Sequence, residues 1–305
     1  MFVETLEFAP YYAAASPASA RAAVVRADRV EFFFPLPLGK DFGTRPPRAI
    51  LSLREAGSMR YLPTADNPRR RAFFEGLGID SRRVVATELH HTRRLKLVEA
   101  REMGIFPNGD GETDLGSLKG PELGDGGPDG AEGRDGFVFF PPRPASEALR
   151  GETEAGPLPV PTVTVADCMP IWLWDAVSGA VGLLHSGWKG TGILEHAIGA
   201  MVLVGKTSPD SLSVILGPSI GVCCYEVPES RAAYFETEFG SECVDRSGMR
   251  PRLDIRAANL SIARRLGVGA LLSVDACTSC DPILGSYRRE GPESFTRMVA
   301  VCIPP

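Results

Sequence analysis

Several features are missing from this sequence, and each absence removes a class of protein. No apolar run reaches the ~20 residues of a membrane span. There is no basic tract: 33 Lys and Arg face 38 Asp and Glu, for a net charge of −5, so neither nucleic acid nor an anionic membrane surface is an expected partner. The first residues carry an acid, Glu4, where a secretory signal needs positive charge. The seven cysteines are odd in number and spread unevenly over 305 residues, which does not suit a secreted disulfide framework. Histidine is scarce, and His90, His91, His185 and His196 are too few to build a multicopper cluster. A soluble cytoplasmic protein is the expectation, and the length admits either two domains or one large α/β unit.

What is present falls into two apolar stretches around one tract that has little to bury. Val30–Phe34, Arg48–Leu53 and Val84–Leu89 look like strands. A helix is expected from Asn67-Pro68, with Asn as cap and Pro at the first turn, to Leu77-Gly78. Residues 107–134 are glycine-rich, acidic and almost free of large apolar side chains, so they read as a surface insertion, inert or acting as a lid over the site. From residue 158 a dense α/β pattern begins. Strands are expected at Val160–Ala166, Ile171–Asp175, Ala180–His185, Leu212–Leu216, Leu271–Ala276 and Met298–Ile303, with helices at Gly192–Val204, Glu229–Phe239 and Arg256–Leu266. Several strands follow one another without a helix between them, which favours a mixed sheet or a layered sandwich over a strictly alternating Rossmann order.

Three segments could carry chemistry. Cys168 lies between two apolar strands, in a bend that Pro170 helps to form by removing a ladder donor. His185 closes the next strand, and one strand out and one back would bring the two side chains to the same sheet edge. With His90, reached only through the fold, they offer one thiolate and two imidazoles with a position left open, the donor set of a catalytic zinc. A buried cysteine can equally be a small hydrophobe. The second segment, Ser186–Gly192, carries three glycines and Lys189 and runs into a helix, an arrangement suited to a phosphate or carboxylate. The third, Ser286-Tyr287-Arg288-Arg289, pairs cations with a ring and suits an anionic group, although a solvated loop would look the same. Cys223, Cys224, Cys243 and Cys302 read as structural, and Cys277–Cys280 forms a C-x-x-C that lacks a second pair and follows a strand.

These residues resemble a known family. Thr164-Val165-Ala166-Asp167-Cys168-Met169-Pro170 is similar to its T-A-D-C-x-P motif, and Leu184–Thr191 to its H-A-G-W-R-G-T. Leu216–Val227 is similar to G-P-x-I-G-x-x-x-Y-E-V, while Cys277-Thr278 and Ser286–Arg289 resemble C-T and F-S-Y-R-R. The family is the laccase-domain or YfiH-like family, also called multicopper polyphenol oxidoreductases, whose members are described as purine nucleoside phosphorylases. Its Q-V-H-G corresponds to Glu88-Leu89-His90-His91, so the family histidine falls on His90, and His91 stands where the glycine would be, as a neighbour or alternative ligand. Its T-R-x-G-G-V-S is faint at Leu51–Ser58, and its T-G-R appears as Phe295-Thr296-Arg297 without the glycine.

The resemblance implies a four-layer α/β/β/α sandwich of mixed sheets, formed by residues 1–305 as one domain with residues 107–134 inserted. It implies a zinc held by His90, Cys168 and His185, with copper the less favoured metal. The implied reactions are phosphorolysis of adenosine, inosine and methylthioadenosine, with phosphate held by Arg288 or Lys189 beside Tyr287, and deamination of adenosine. Asp167 would orient a ligand or act as acid and base, unless it only forms the turn. Two other functions compete: a metal-free Cys–His hydrolase or deamidase with Cys168 as nucleophile, and a copper-dependent polyphenol oxidase.

Overall fold

The computed structural model describes residues 1–7, 22–39, 43–63, 65–99, 113–114, 122–124, 133–141 and 158–305. Its strands are β1 (Phe2–Glu7), β2 (Ala23–Val25), β3 (Arg29–Phe32), β4 (Arg48–Ser52), β5 (Val84–Ala86), β6 (Leu95–Glu99), β7 (Thr113–Asp114), β8 (Glu122–Leu123) and β9 (Gly136–Phe140). They continue with β10 (Val160–Val165), β11 (Met169–Asp175), β12 (Val181–Ser186), β13 (Leu212–Leu216), β14 (Val244–Asp245), β15 (Arg252–Leu253), β16 (Ala270–Asp275) and β17 (Met298–Ile303). The α-helices are α1 (Pro68–Gly76), α2 (Ile193–Leu203), α3 (Glu229–Phe239), α4 (Ile255–Arg265) and the single turn α5 (Tyr287–Glu290).

Two large mixed sheets result, one in the order β1-β16-β13-β11-β12-β9-β6-β8 and one in the order β2-β3-β4-β17-β10-β5-β7. Strand periodicity explains why they stack. Along β11, Trp172 and Trp174 face the second sheet, where they meet Phe32, Phe34, Leu51, Val163 and Ala300. Ile171 and Leu173 face the other way, onto Ile193, Ala197, Ile198, Phe235 and Ile262 of α2, α3 and α4. The second sheet turns Ile50, Val84, Val160, Val299 and Val301 outward onto Phe73 and Phe74 of α1. The layers are therefore α, β, β, α, as the family resemblance implies. All seven residues of β11 are buried, since both faces of its sheet are covered. Trp172 also satisfies its indole by donating to the Val301 carbonyl across the sheets at 2.9 Å.

The helix ends follow the sequence closely. The Asn67 side chain caps α1 by accepting from the amides of Arg69 and Arg70, with Pro68 at the first position. Arg70 of this helix is buried. It donates to the Met59 carbonyl at 3.0 Å and to Thr162 Oγ1 at 2.9 Å, tying the 59–61 segment to the second sheet. Of the acidic tract at 107–134, most lies outside the described residues. The described parts are built in rather than loose: Thr113–Asp114 pairs with β5 and Glu122–Leu123 with β6.

Strand direction gathers the site. The ends of β4, β5, β10, β12, β13 and β16 and the starts of β6, β9, β11 and β17 all fall at one end of the sandwich, as their registers require. The chain crosses from one sheet to the other three times at that end, between β5 and β6, between β10 and β11 and between β16 and β17.

Candidate active site

The first two of these crossings and the end of β12 bring together His91, Cys168 and His185, whose ligand atoms all lie within 4.8 Å of one another. Cys168 follows Asp167, a non-glycine residue at φ +78°, which turns the chain between sheets; β11 then begins at Met169, so Pro170 sits inside the strand rather than in the bend. Pro170 pairs with His185 across β11 and β12, placing the thiol beside the imidazole.

The structure corrects the choice of the first histidine. His90 and His91 are both exposed, but the His90 ring lies over Gly133, where any side chain would collide with it. His91 instead adopts φ +59° and aims its ring at His185, with ring centroids 5.0 Å apart and planes at 76°. Register along two adjacent residues is decided by local backbone handedness, which sequence alignment does not report. The near approach also needs Gly187: a Cβ there would sit 2.8 Å from Cys168 Sγ and 3.5 Å from His91 Cδ2.

Asp135 is the residue sequence reasoning missed. Fully buried just before β9, its Oδ1 lies 3.0 Å from His185 Nδ1 and accepts from the amides of His90 and His91, at 3.2 and 3.0 Å. Its Oδ2 accepts from the Thr92 amide at 2.6 Å and the Thr92 hydroxyl at 2.9 Å. One carboxylate thus fixes the His185 tautomer and the turn that presents His91, leaving His185 Nε2 as the nitrogen free to bind. Burial acts against its charge, but His185 and the Thr92 donors hold its pKa below the usual carboxylate range. Its signal was its place at the start of a strand next to the end of the acidic tract.

Electrostatically the trio is a coupled pair plus a third donor. Burial opposes a thiolate at Cys168, yet His185 and His91 outweigh it and bring the thiol down to about 6. Burial likewise opposes an imidazolium at His185, while the Cys168 thiolate and Asp135 hold its pKa well above the ordinary histidine value.

These groups open into a cleft of about 620 Å³. Its walls include Arg60, Arg231, Arg288 and Arg297, with the rings of Trp188, Tyr225, Tyr287 and Phe295, so a protein of net charge −5 presents a cationic pocket here. Arg231 stacks on Trp188 at 4.1 Å from the ring centroid, and Arg297 on Phe295 at 3.7 Å. Burial and the neighbouring Arg60 charge lower the pKa of Arg297. Tyr225 is half-buried in the cleft wall, and desolvation pushes its phenol up to about 12, with the Cys168 charge adding to the effect.

The other sequence candidates fall on either side of this cleft. Arg288 lines it, donating to the carbonyls of Cys224 at 3.1 Å and Glu226 at 3.3 Å, and Tyr287 lines it edge-on to Phe295 at 5.0 Å. Arg289 turns away and donates to the carbonyls of Thr278, Ser279, Asp281 and Leu284. The separation comes from one helical turn, not from the extended backbone that adjacent arginines suggest. Asp167 has both oxygens engaged, Oδ1 by the Thr278 hydroxyl at 2.6 Å and Oδ2 by the Arg288 amide at 2.7 Å, which suits a brace more than an acid or base. Lys189 is corrected: it is not among the cleft-lining residues, and its ammonium lies 5.5 Å from the Trp188 centroid. At the nearby helix start, the Ile193 amide is already engaged, donating to the Gly190 carbonyl at 3.0 Å.

A sandwich of two mixed sheets between helices, with a His–Cys–His trio where the chain crosses between sheets, defines an α+β protein of YfiH-like fold. The fold matches the solved structure of Bacillus licheniformis hypothetical protein YfiH at a TM-score of 0.66 and 20% identity, over 85% of this chain and 93% of that one. It matches YlmD from Geobacillus stearothermophilus at 0.63 and 21%, over 88% and 99%. Residues 153–303, just under half of the chain, match the family described as multi-copper polyphenol oxidoreductase laccase, so over this stretch the chain is similar to the laccase-domain family. Among curated relatives, mouse purine nucleoside phosphorylase LACC1 is 36% identical over 129 residues, 40% of this chain and 30% of that protein. Purine nucleoside phosphorylase YlmD of Geobacillus stearothermophilus is 31% identical over 150 residues, 44% of this chain and 52% of that protein. The match thus spans about half or less of each of these relatives. Among the described residues no helix is long and apolar enough to cross a membrane.

Proposed function

We propose that this chain is a zinc-dependent purine nucleoside phosphorylase that also deaminates adenosine, with adenosine, inosine and methylthioadenosine as substrates, acting in the cytoplasm as one laccase-like domain. The observation that carries the reading is the cleft itself, which is lined by the His91–Cys168–His185 trio together with Arg231 and Arg288. The donor set fits zinc: two imidazoles and a thiol already biased to thiolate, one imidazole backed by a buried carboxylate, and an open side toward the cleft. When bound there, zinc supplies Lewis acidity, which acidifies water and polarises a ligand oxygen.

The protein's own groups do the remaining work. Arg288 and Arg231 hold phosphate for attack at the ribose C1′, with charge-assisted hydrogen bonds that strengthen as the bond to the base breaks. Tyr287 and Phe295 offer ring faces and edges to a purine. Tyr225 keeps its proton on Oη across the working pH range and can donate to substrate. Asp167 is a positioning residue, bracing the Arg288 turn against Thr278. The test is a panel of nucleosides with and without phosphate, read by product identity. Phosphate-dependent release of free base, together with inosine from adenosine, supports the reading, and neither product from any of the three substrates refutes it.

One observation favours a second reading. Cys168, His185 and Asp135 line up as a thiol, a base and a carboxylate, the order of a nucleophilic cysteine triad. Metal analysis of protein purified without added metal separates the two. Stoichiometric zinc that disappears in Cys168→Ala supports the ligand role; metal-free protein inactivated by alkylation of Cys168 supports the nucleophile.

A further inference from the structure

Outside the cleft, the two loops that follow the parallel neighbours β13 and β16 bring four cysteines to one point. Cys223 and Cys224 come from the first loop and Cys277 and Cys280 from the second, and their sulfurs all lie within 4.8 Å of one another. The Cys224 and Cys280 sulfurs are 3.4 Å apart and those of Cys223 and Cys280 are 3.7 Å apart. A tetrahedron with metal–sulfur bonds of about 2.3 Å has edges of about 3.8 Å, so these spacings are those of a thiolate cage before its ion contracts or spreads it. The C-x-x-C at 277–280 therefore does have its second pair, 53 residues upstream as an adjacent C-C, which a search for two C-x-x-C motifs passes over.

Three independent features shape the cluster as a site. The Gly221 amide donates to Cys277 Sγ at 3.2 Å, the kind of contact that stabilises a ligating thiolate. Gly221 also eases the meeting of the loops, since a Cβ there would be in tight contact, 3.1 Å from Cys277 Cβ and 3.2 Å from Cys223 Sγ. The C-x-x-C turn is closed by the amides of Cys280 and Asp281 donating to the Cys277 carbonyl, and Arg289 braces it from outside through the carbonyls of Thr278, Ser279 and Asp281.

The geometry points to a second metal site: Cys223, Cys224, Cys277 and Cys280 bind one thiophilic divalent cation of the zinc type, closed to substrate and structural. It clamps together the loop that carries Tyr225 and the loop that leads to Arg288. The coupling is direct, because Arg288 donates to the Cys224 carbonyl while its amide is held by Asp167. The ion is thus a fastener for one wall of the cleft, and it is independent of what occupies the His91–Cys168–His185 trio. Binding releases thiol protons to solvent and needs no oxidant or reductant.

The test is metal content of the full chain, purified under reducing conditions, together with cobalt(II) titration of the metal-stripped protein. A tetrathiolate cobalt centre shows intense sulfur-to-metal charge transfer that a one-thiolate, two-imidazole centre cannot match. We expect this band in the wild-type chain and in Cys168→Ala, and its loss in Cys223→Ser and in the double variant Cys277→Ser/Cys280→Ser, with one metal fewer per chain. Cys223 is exposed, so its serine variant preserves the fold and keeps the test meaningful if the double variant does not. The site is refuted if Cys223→Ser retains full metal content and an unchanged cobalt spectrum. It is equally refuted if the wild-type chain carries a Cys224–Cys280 disulfide and no metal at the cluster.

Discussion

Asp135→Asn is the most informative single substitution in this protein. The change is nearly isosteric, so it tests hydrogen-bond pairing and charge and leaves packing alone. The carboxylate accepts from five donors: His185 Nδ1, the amides of His90, His91 and Thr92, and the Thr92 hydroxyl. An asparagine oxygen placed at Oδ1 keeps three of them. Its NH2 then faces the Thr92 amide, donor against donor, in a site with no exposed surface. One orphaned buried donor costs about 1–3 kcal/mol, and loss of the charged acceptor from His185 adds roughly 1 kcal/mol or more. The expected stability loss is about 2–4 kcal/mol, a large share of the ~5–15 kcal/mol that holds an ordinary domain together. Metal affinity should also fall by roughly 10- to 100-fold, because His185 loses the partner that fixes its tautomer. Urea unfolding of metal-free protein measures the first quantity, and competition with a chelator measures the second. A variant within ~0.5 kcal/mol of wild type and with unchanged affinity would refute the role given to Asp135.

Other substitutions probe the site from different sides. His91→Ala should lose the trio's metal while His90→Ala keeps it, read by metal content; the opposite result would restore His90 as the ligand. Gly187→Ala should abolish metal binding with little effect on folding, since its methyl lands 2.8 Å from Cys168 Sγ; a variant that binds normally would show that the approach is not tight. Arg288→Ala should slow phosphorolysis by roughly 30- to 150-fold, about 2–3 kcal/mol, and deamination far less, because only the first reaction uses phosphate; equal losses would assign Arg288 to purine binding or loop support. Arg289→Ala should lower the unfolding free energy by about 1–3 kcal/mol, since four carbonyls lose their donor, whereas a neutral surface residue would leave the thermal midpoint unchanged.

Local physics made much of this protein legible from its sequence. The Asn67-Pro68 cap, the apolar runs of β10 to β13 and the 3.6-residue spacing in α2, α3 and α4 are all short-range signals, and each element appears within a residue or two of where they place it. Cys168 and His185 could be brought together on paper because a single hairpin, β11 and β12, separates them. A mixed sheet or layered sandwich followed from strands that succeed one another without helices.

What the sequence did not contain was any long-range choice between near equivalents. His90 and His91 have the same side chain, and only the turn fixed by Asp135, 44 residues beyond His91, decides which one faces the thiol. Arg288 and Arg289 are separated by one helical turn capped by Ser286, which sets Arg288 in the cleft wall, on the Cys224 and Glu226 carbonyls, and turns Arg289 away onto the carbonyls of the 278–284 loop. Arg60, Arg231 and Arg297 reach the cleft from three distant segments, and the four cysteines meet only because β13 and β16 lie side by side. Periodicity and capping act within a few residues, so a sequence displays them directly. The site is set by which strand ends share one end of the sandwich and by the handedness of the turns there, and these exist only once the two sheets have packed.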